Sequence, residues 1–305
     1  MGTDVELNLK KRRSILFLLS LCVILFMLSC DNGNQRGSLS TARRKPERMI
    51  SLAPNITEIL FSLGAGERIV GVTNFCTYPP ESLVKRKVGG FTNPNPEVII
   101  SLRPDLILAT PNVGNREAVV WLKDHSKIPI LLLKTENLSD LYDAIREIGE
   151  VIQEDEKASA LVDGIRSEIQ STEKLARSLA RKKVLLSLSV EPVIAASPNS
   201  YPGALVALAG GDLVPFNTRH DQNATPYPLV SMEEIIYSDP DIIIQTTMDS
   251  GDQSGEELLK AFWKRWSSIS AVRHGRIFVI SGDTILRPSP RAPEGLKLLY
   301  KLIHK

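Results

Sequence analysis

The chain has 305 residues, 43% of them hydrophobic and 24% charged, with a net charge of +2. That balance supplies apolar material for one large core or two smaller ones, and it lacks the basic face that nucleic-acid binding needs. Three cysteines are too few for a disulfide framework.

At the N-terminus, Lys10, Lys11, Arg12 and Arg13 precede an apolar run over residues 15–28, which ends at Ser29-Cys30. A basic head, an apolar stretch of about 14 residues and a small residue before the cut read as a secretory signal over residues 1–29. The stretch is shorter than the roughly 20 residues that span a bilayer, although an uncleaved signal anchor is the competing reading. The cysteine directly after the run resembles a bacterial lipobox, which implies cleavage before Cys30 and lipid attachment to it. Residues 30–46 are then a lipidated, polar and flexible tether. On either reading the rest of the chain lies outside the cytoplasm.

From Arg48 onward, short apolar runs alternate with amphipathic ones. Residues 49–52 predict a strand, broken by Pro54, and a helix from Thr57 with Ile59, Leu60 and Leu63 on one face. Gly64 and Gly66 end that helix. Strands follow at 69–72, 106–109 and 130–133, with helices at 97–102, 116–125 and 138–152. Such alternation argues for parallel sheets covered by helices. Between Glu154 and Lys182 there is no proline and only Gly164, and Ala158, Leu161, Val162, Ile165, Ile169, Ala176 and Leu179 share a face. This predicts one long amphipathic helix of roughly 40 Å, suited to bridging two halves.

The second half repeats the first. Residues 184–188 predict a strand, and Leu205, Leu208 and Gly211 match Leu60, Leu63 and Gly66 at an offset of 145. "PNPEVIISLRPDLILAT" places Glu97 seven residues before Pro104-Asp105, and "LVSMEEIIYSDPDIIIQTT" places Glu233 seven before Pro240-Asp241. Two copies of one αβ unit joined by a helix put a ligand cleft between them, since pockets favour domain interfaces and the carboxyl ends of parallel strands.

No catalytic constellation is present. "GAGERIVG" follows a helix and does not extend to G-x-G-x-x-G, so it reads as a helix-ending turn. There is no phosphate-binding P-loop and no G-x-S-x-G. His125, His220, His274 and His304 are scattered without metal-ligand spacing.

The stretches "RMISLAPNITEILFSLGAGERIVGVTNFCTYPPE" and "KVGGFTNPNPEVIISLRPDLILA" resemble the first lobe of the periplasmic binding proteins for cobalamin and ferric siderophores. "TPYPLVSMEEIIYSDPDIII" and "RPSPR" resemble their second lobe, and the likeness covers nearly all of residues 48–305. The resemblance implies Rossmann-like lobes bridged by a rigid helix, with limited closure. It also implies a partner, the membrane permease of an ABC importer with its ATPase. In that family one surface glutamate per lobe docks onto permease arginines, and those positions fall on Glu97 and Glu233. Glu234 competes for the second place, but the Pro-Asp spacing favours Glu233. A first-turn glutamate is also what the helix dipole favours, without any docking role.

Cleft positions of the family fall on Phe75, Phe91 and Tyr227, whose rings suit a flat macrocycle or a catecholate. Each ring reads alternatively as packing under a loop. Thr110 and Thr284 stand where the cobalamin binders carry tryptophan, and Trp121, Trp263 and Trp266 are read as core. Arg287 either meets an anionic group of the ligand or caps a lobe edge. Arg291 is read as structural. Tyr227 also suits haem iron.

The expected fold is α/β, two Rossmann-like lobes with parallel sheets joined by a single long α-helix. The first lobe covers residues 47–152, the bridging helix 153–182 and the second lobe 183–305. The expected function is a lipid-anchored, monomeric solute-binding protein in the periplasm or at the cell surface. It captures a metal-chelate ligand, cobalamin or a corrinoid first and a ferric siderophore second, and delivers it to the permease. No catalytic residue, metal or cofactor of its own and no nucleic acid is expected. The alternatives are a haem-binding protein of an ABC importer, or a non-transport enzyme or sensor using the same cleft.

Overall fold

A computed structural model describes residues 44–111, 115–216, 225–247 and 253–305. The leader, Cys30, most of the tether and His220 lie outside the described residues. In the first lobe, β1 (Met49–Ser51), β2 (Ile69–Val72), β3 (Leu106–Ala109) and β4 (Ile130–Leu132) form a parallel sheet in the order β2-β1-β3-β4. In the second, β5 (Lys182–Val190) pairs in parallel with β7 (Gly211–Leu213) on one side and β8 (Ile242–Thr247) on the other, and β9 (Ile277–Ser281) lies beyond β8. The order β7-β5-β8-β9 repeats β2-β1-β3-β4. The addition is β6 (Val193–Ala195), which runs antiparallel to the far end of β5.

The helices of the first lobe are α1 (Pro54–Ser62), α2 (Pro96–Ser101), α3 (Arg116–His125) and α4 (Leu138–Ile152). The bridge is α5 (Asp155–Ala176). The second lobe carries α6 (Tyr201–Leu208), α7 (Met232–Ser238), α8 (Gln253–Lys264), α9 (Ser270–Arg273) and α10 (Ala292–Ile303). Pro54 does not merely break the first strand. It is the first residue of α1, a place where its fixed φ suits a helix and its missing N–H costs nothing.

The central strands are covered on both faces, as parallel sheets require. In β1 and β3, Ile50 and Ile107 pack with Ile99 and Leu122 on one face. Met49, Leu106 and Leu108 face the other way, toward α1 and α4. That second core does not stop at the lobe boundary. It runs through Val162, Ile165 and Ile169 of α5 to Leu296 and Leu299 of α10 in the second lobe. Each such buried aliphatic side chain contributes about 1.5–3 kcal/mol, so the helix is cemented to both lobes. An ion pair at 2.5 Å between Lys297 and Glu168 adds to the same seam.

The apolar spacing predicts a bridge reaching Lys182, but α5 ends at Ala176. Lys182 is already committed to β5, opposite Gly211. Just before it, the Arg181 guanidinium donates to the Asp212 carboxylate at 2.7 Å and to the Gly211 carbonyl at 2.5 Å. Sheet pairing therefore takes the last turn away from the helix, leaving 22 residues and about 33 Å.

The repeat has a structural meaning. The helix-ending glycines are Gly64 (φ 75) and Gly210 (φ 83), so the offset at this point is 146, one more than the matched leucines give. Before each Pro-Asp stands a non-glycine residue in the left-handed region, Arg103 (φ 47) and Asp239 (φ 42). The aspartate then clamps the start of its lobe's first strand. Asp105 accepts from the backbone N–H groups of Glu47 (2.8 Å) and Arg48 (3.0 Å), and its own N–H donates to the Arg48 carbonyl. Asp241 accepts from Lys183 N–H at 2.8 Å and donates to the Lys183 carbonyl. These bonds hold each pair of sheet strands in register where the ladder begins. Among the described residues, no helix is long and apolar enough to cross a membrane.

Candidate ligand cleft and docking face

A cavity of about 480 Å³ opens between the lobes, within the usual range for small-molecule sites. Its first-lobe wall comes from residues just beyond all four strand ends: Pro54 and Asn55 after β1, Phe75 after β2, Thr110 and Pro111 after β3, and Leu133 to Thr135 after β4. Phe91, on the way to α2, joins them. The second lobe contributes Leu286, Arg287 and Pro288 from the loop before α10. Three of the four expected cleft residues, Phe75, Phe91 and Arg287, thus line one cavity.

The lining is mainly apolar, with charges set at its margin. Phe75 is 51% exposed, an open ring with nothing packed over half its surface. Arg287 is held by Asp283, with Nη2 and Oδ1 3.0 Å apart. Lys134 sits 3.3 Å from Glu136 and 3.8 Å from Asp140. The Asn55 side chain donates to Thr135 Oγ1 at 2.9 Å, tying the start of α1 to the loop after β4.

Tyr227 does not line this cavity. Its charge would reach the Tyr201 phenol and raise that group's pKa, and partial burial pushes the Tyr227 phenol's own pKa up. The Tyr201 hydroxyl is buried with no hydrogen-bond partner, and burial drives its pKa up as well. Cys76 is buried in the first-lobe core, its sulfur 3.1 Å from both Thr57 Oγ1 and Thr73 Oγ1, and does not line the cleft. No group of three or more His, Cys, Asp or Glu suited to a metal occurs among the described residues.

The contact that reading the sequence missed is an interlobe ion pair. Arg291, placed as merely structural, donates through Nε (2.9 Å) and Nη2 (2.6 Å) to the two carboxylate oxygens of Glu58 on α1. Glu58 is buried at 2% exposure and Arg291 is partly buried at 13%, and the guanidinium also lies over the Tyr78 ring, 4.0 Å from its centre. Burial disfavours the cation, but the bonds and charge of Glu58 outweigh it and the net shift of the Arg291 pKa is upward. Asn55 and Arg287 line the cavity a few residues from these two, so the pair braces the lobes beside the cleft.

On the outer surface, Asn95 caps α2 by accepting from the backbone N–H of Glu97 (3.0 Å) and Val98 (3.2 Å). In α7, Ser231 and Glu234 form a capping box, each side chain accepting from the other's backbone N–H at 3.1–3.2 Å. Glu234 is therefore occupied in holding its own helix. Glu233 and Glu97 are exposed, and among the described residues neither carboxylate has a hydrogen-bond or ion-pair partner. Of the three tryptophans, Trp263 is fully buried and donates to Gln245 Oε1 at 3.1 Å, and Trp266 packs beside that core. Trp121 is not core. It is 40% exposed on the outer face of α3, because Val119 and Leu122 are the residues that α3 turns inward.

Further cleft residues carry a signal in the sequence. Lys134, Leu133 and Thr135 follow a strand directly, and strand ends are where open α/β sheets bind ligands. Leu286 and Pro288 flank Arg287 in the same short loop.

Comparison with known proteins agrees with this architecture. The periplasmic binding protein family model matches residues 49–284. An uncharacterised ABC transporter substrate-binding lipoprotein of Bacillus subtilis is 30% identical over 276 residues, covering 87% of this chain and 82% of its own. The crystal structure of the periplasmic vitamin B12 binding protein of Vibrio cholerae superposes with a TM-score of 0.71 at 26% identity, over 85% of this chain and 97% of that one. The structure of a possible iron-binding periplasmic solute-binding protein from Staphylococcus epidermidis gives 0.73 at 28% identity, over 86% and 100%. Two sheets of repeated order, one bridging helix and a cavity at the strand ends, matched along most of the chain, make this protein a member of the periplasmic binding protein family, a solute-binding component of ABC transport.

Proposed function

We propose that the protein captures a bulky metal chelate in the interlobe cleft and hands it to the permease and ATPase of an ABC importer. The observation that carries the reading is the cleft itself, where Phe75 and Phe91 meet Arg287 of the opposite lobe across an apolar cavity. Open aromatic faces suit a flat or polycyclic ligand, and a cation at the margin suits its acidic substituents. Cobalamin or a related corrinoid stands first, in keeping with the vitamin B12 binding protein of Vibrio cholerae, and a ferric siderophore second. Haem falls behind both, because Tyr227 lies off the cavity lining. The protein carries out no chemistry on the ligand and holds no cofactor of its own.

The export reading follows the leader over residues 1–29, with Cys30 lipidated, 30–46 as tether and the two lobes outside the cytoplasm. Glu97 and Glu233 serve as the docking carboxylates, one on each lobe, and their lack of partners leaves them available for arginines. The protein acts as a monomer.

The test is to express the full chain in a bacterial host, purify it, and identify any co-purified ligand by absorbance and mass, then titrate it with hydroxocobalamin, a ferric catecholate and haemin. A corrinoid spectrum or submicromolar binding of hydroxocobalamin is expected. A colourless protein that binds none of the three overturns the ligand class. Charge reversal at both glutamates, with lost uptake and intact ligand binding, tests the handover separately.

A further inference from the structure

The two proposed docking carboxylates each have an exposed aromatic ring nearby. Trp121 and Glu97 line the same surface depression, together with Pro94 and Pro96. Tyr237 stands one helical turn after Glu233 on α7, and at 93% exposure it is almost wholly in water. Residues four apart lie on one helix face, so Tyr237 and Glu233 project from the same side of α7. The Trp121 ring is ordered from behind by His125, stacked at 4.7 Å and nearly parallel. The aromatics come from different elements, α3 in the first lobe and α7 in the second. The repeat therefore does not explain the pairing, since the residue of α2 equivalent to Tyr237 is Ser101.

We infer that each docking post is a carboxylate–aromatic pair, with Trp121 and Tyr237 as the apolar anchors against the permease. This rests on the docking reading above and deepens it. An unpartnered carboxylate beside an open ring fits an arginine in particular. The guanidinium edge pairs with the carboxylate while its flat face stacks on the ring, and a lysine does the first job but not the second. The division of labour also follows. Exposed carboxylates steer encounter and are screened by salt, whereas buried aromatic anchors set how long a complex lasts.

The full chain, its cleft ligand-free, is measured against its permease–ATPase complex in lipid nanodiscs, following association and dissociation at two salt concentrations. Trp121→Ala and Tyr237→Ala are each expected to weaken docking about tenfold or more, mainly through faster dissociation, with the salt dependence kept. Glu97→Arg with Glu233→Arg is expected to abolish docking and its salt dependence. Trp121→Phe and Tyr237→Phe retain the ring and are expected to retain most of the affinity, which separates a contact role from a folding defect. If the charge reversals weaken docking while both alanine variants dock like the natural chain, this inference is overturned and the importer reading stands. If charge reversals and alanine variants alike leave docking unchanged, the docking reading itself is overturned and the aromatic posts with it.

Discussion

Arg291 and Glu58, 233 residues apart in the chain, meet in a two-pronged ion pair that joins the lobes beside the cleft. Losing one member leaves the other charge buried and unpaired. Arg291→Ala or Glu58→Ala is therefore expected to lower stability by about 3–5 kcal/mol, read as a shifted urea midpoint. The pair is also an interlobe strut, so small-angle scattering of either variant is expected to report a broader range of lobe separations. An unshifted midpoint would show the pair to be incidental.

Phe75 and Phe91 test the cleft. Phe75 is half exposed, so its truncation costs the fold little, while removing a stacking face costs binding. Phe75→Ala and Phe91→Ala are each expected to weaken hydroxocobalamin binding roughly tenfold, the first with a near-natural melting temperature and the second with a lowered one, because Phe91 also packs against the core. Calorimetric titration decides it, and unchanged affinity in both variants would place the ligand elsewhere.

Glu154 contributes to stability at acid pH. Hydrogen bonds from Lys157 and then Lys45 pull its pKa down to about 2 from an ordinary 4.5, and Arg68 reaches it at 3.5 Å. Because the folded value is the lower one, this contribution is complete above about pH 4.5 and fades as pH falls toward 2. Melting curves between those limits are expected to be less pH-dependent in Glu154→Gln than in the natural chain. Parallel curves would remove Glu154 from the account.

The paired aspartates offer a control in which fold and function separate. Asp105→Ala removes two hydrogen bonds and Asp241→Ala one from the start of a central strand, and each is expected to cost about 1–3 kcal/mol. Neither side chain is near the cavity lining, so ligand affinity per folded molecule is expected to hold, measured by titration after correcting for the unfolded fraction.

Much of this architecture was legible because the local signals were strong. The pattern of residues 116–125 and 138–152 has a clean helical period, and both helices have those bounds. Runs such as 69–72 and 106–109 are short, apolar and flanked by turn residues, and they are strands as expected. Three of the four cleft residues and both exposed glutamates were reachable through the repeat and the family likeness. What was not legible depends on the third dimension. The three residues of β6 carry no measurable period. The end of α5 is set by strand pairing rather than by its own pattern. Trp121 is as apolar as Trp263, and only the rotation of α3 turns one outward while Trp263 lies buried. No spacing rule connects Glu58 with Arg291.

The core that runs unbroken from the first lobe through Val162, Ile165 and Ile169 into the second has a mechanical consequence. A body whose halves share one interior works as a caliper with a stiff spine. The distance between Glu97 on one lobe and Glu233 on the other is then set by how the spine packs, and on the docking proposed above it is a distance that a permease has to match. A single large-to-small change in the spine, such as Ile165→Ala, is expected to loosen that spacing without touching either glutamate.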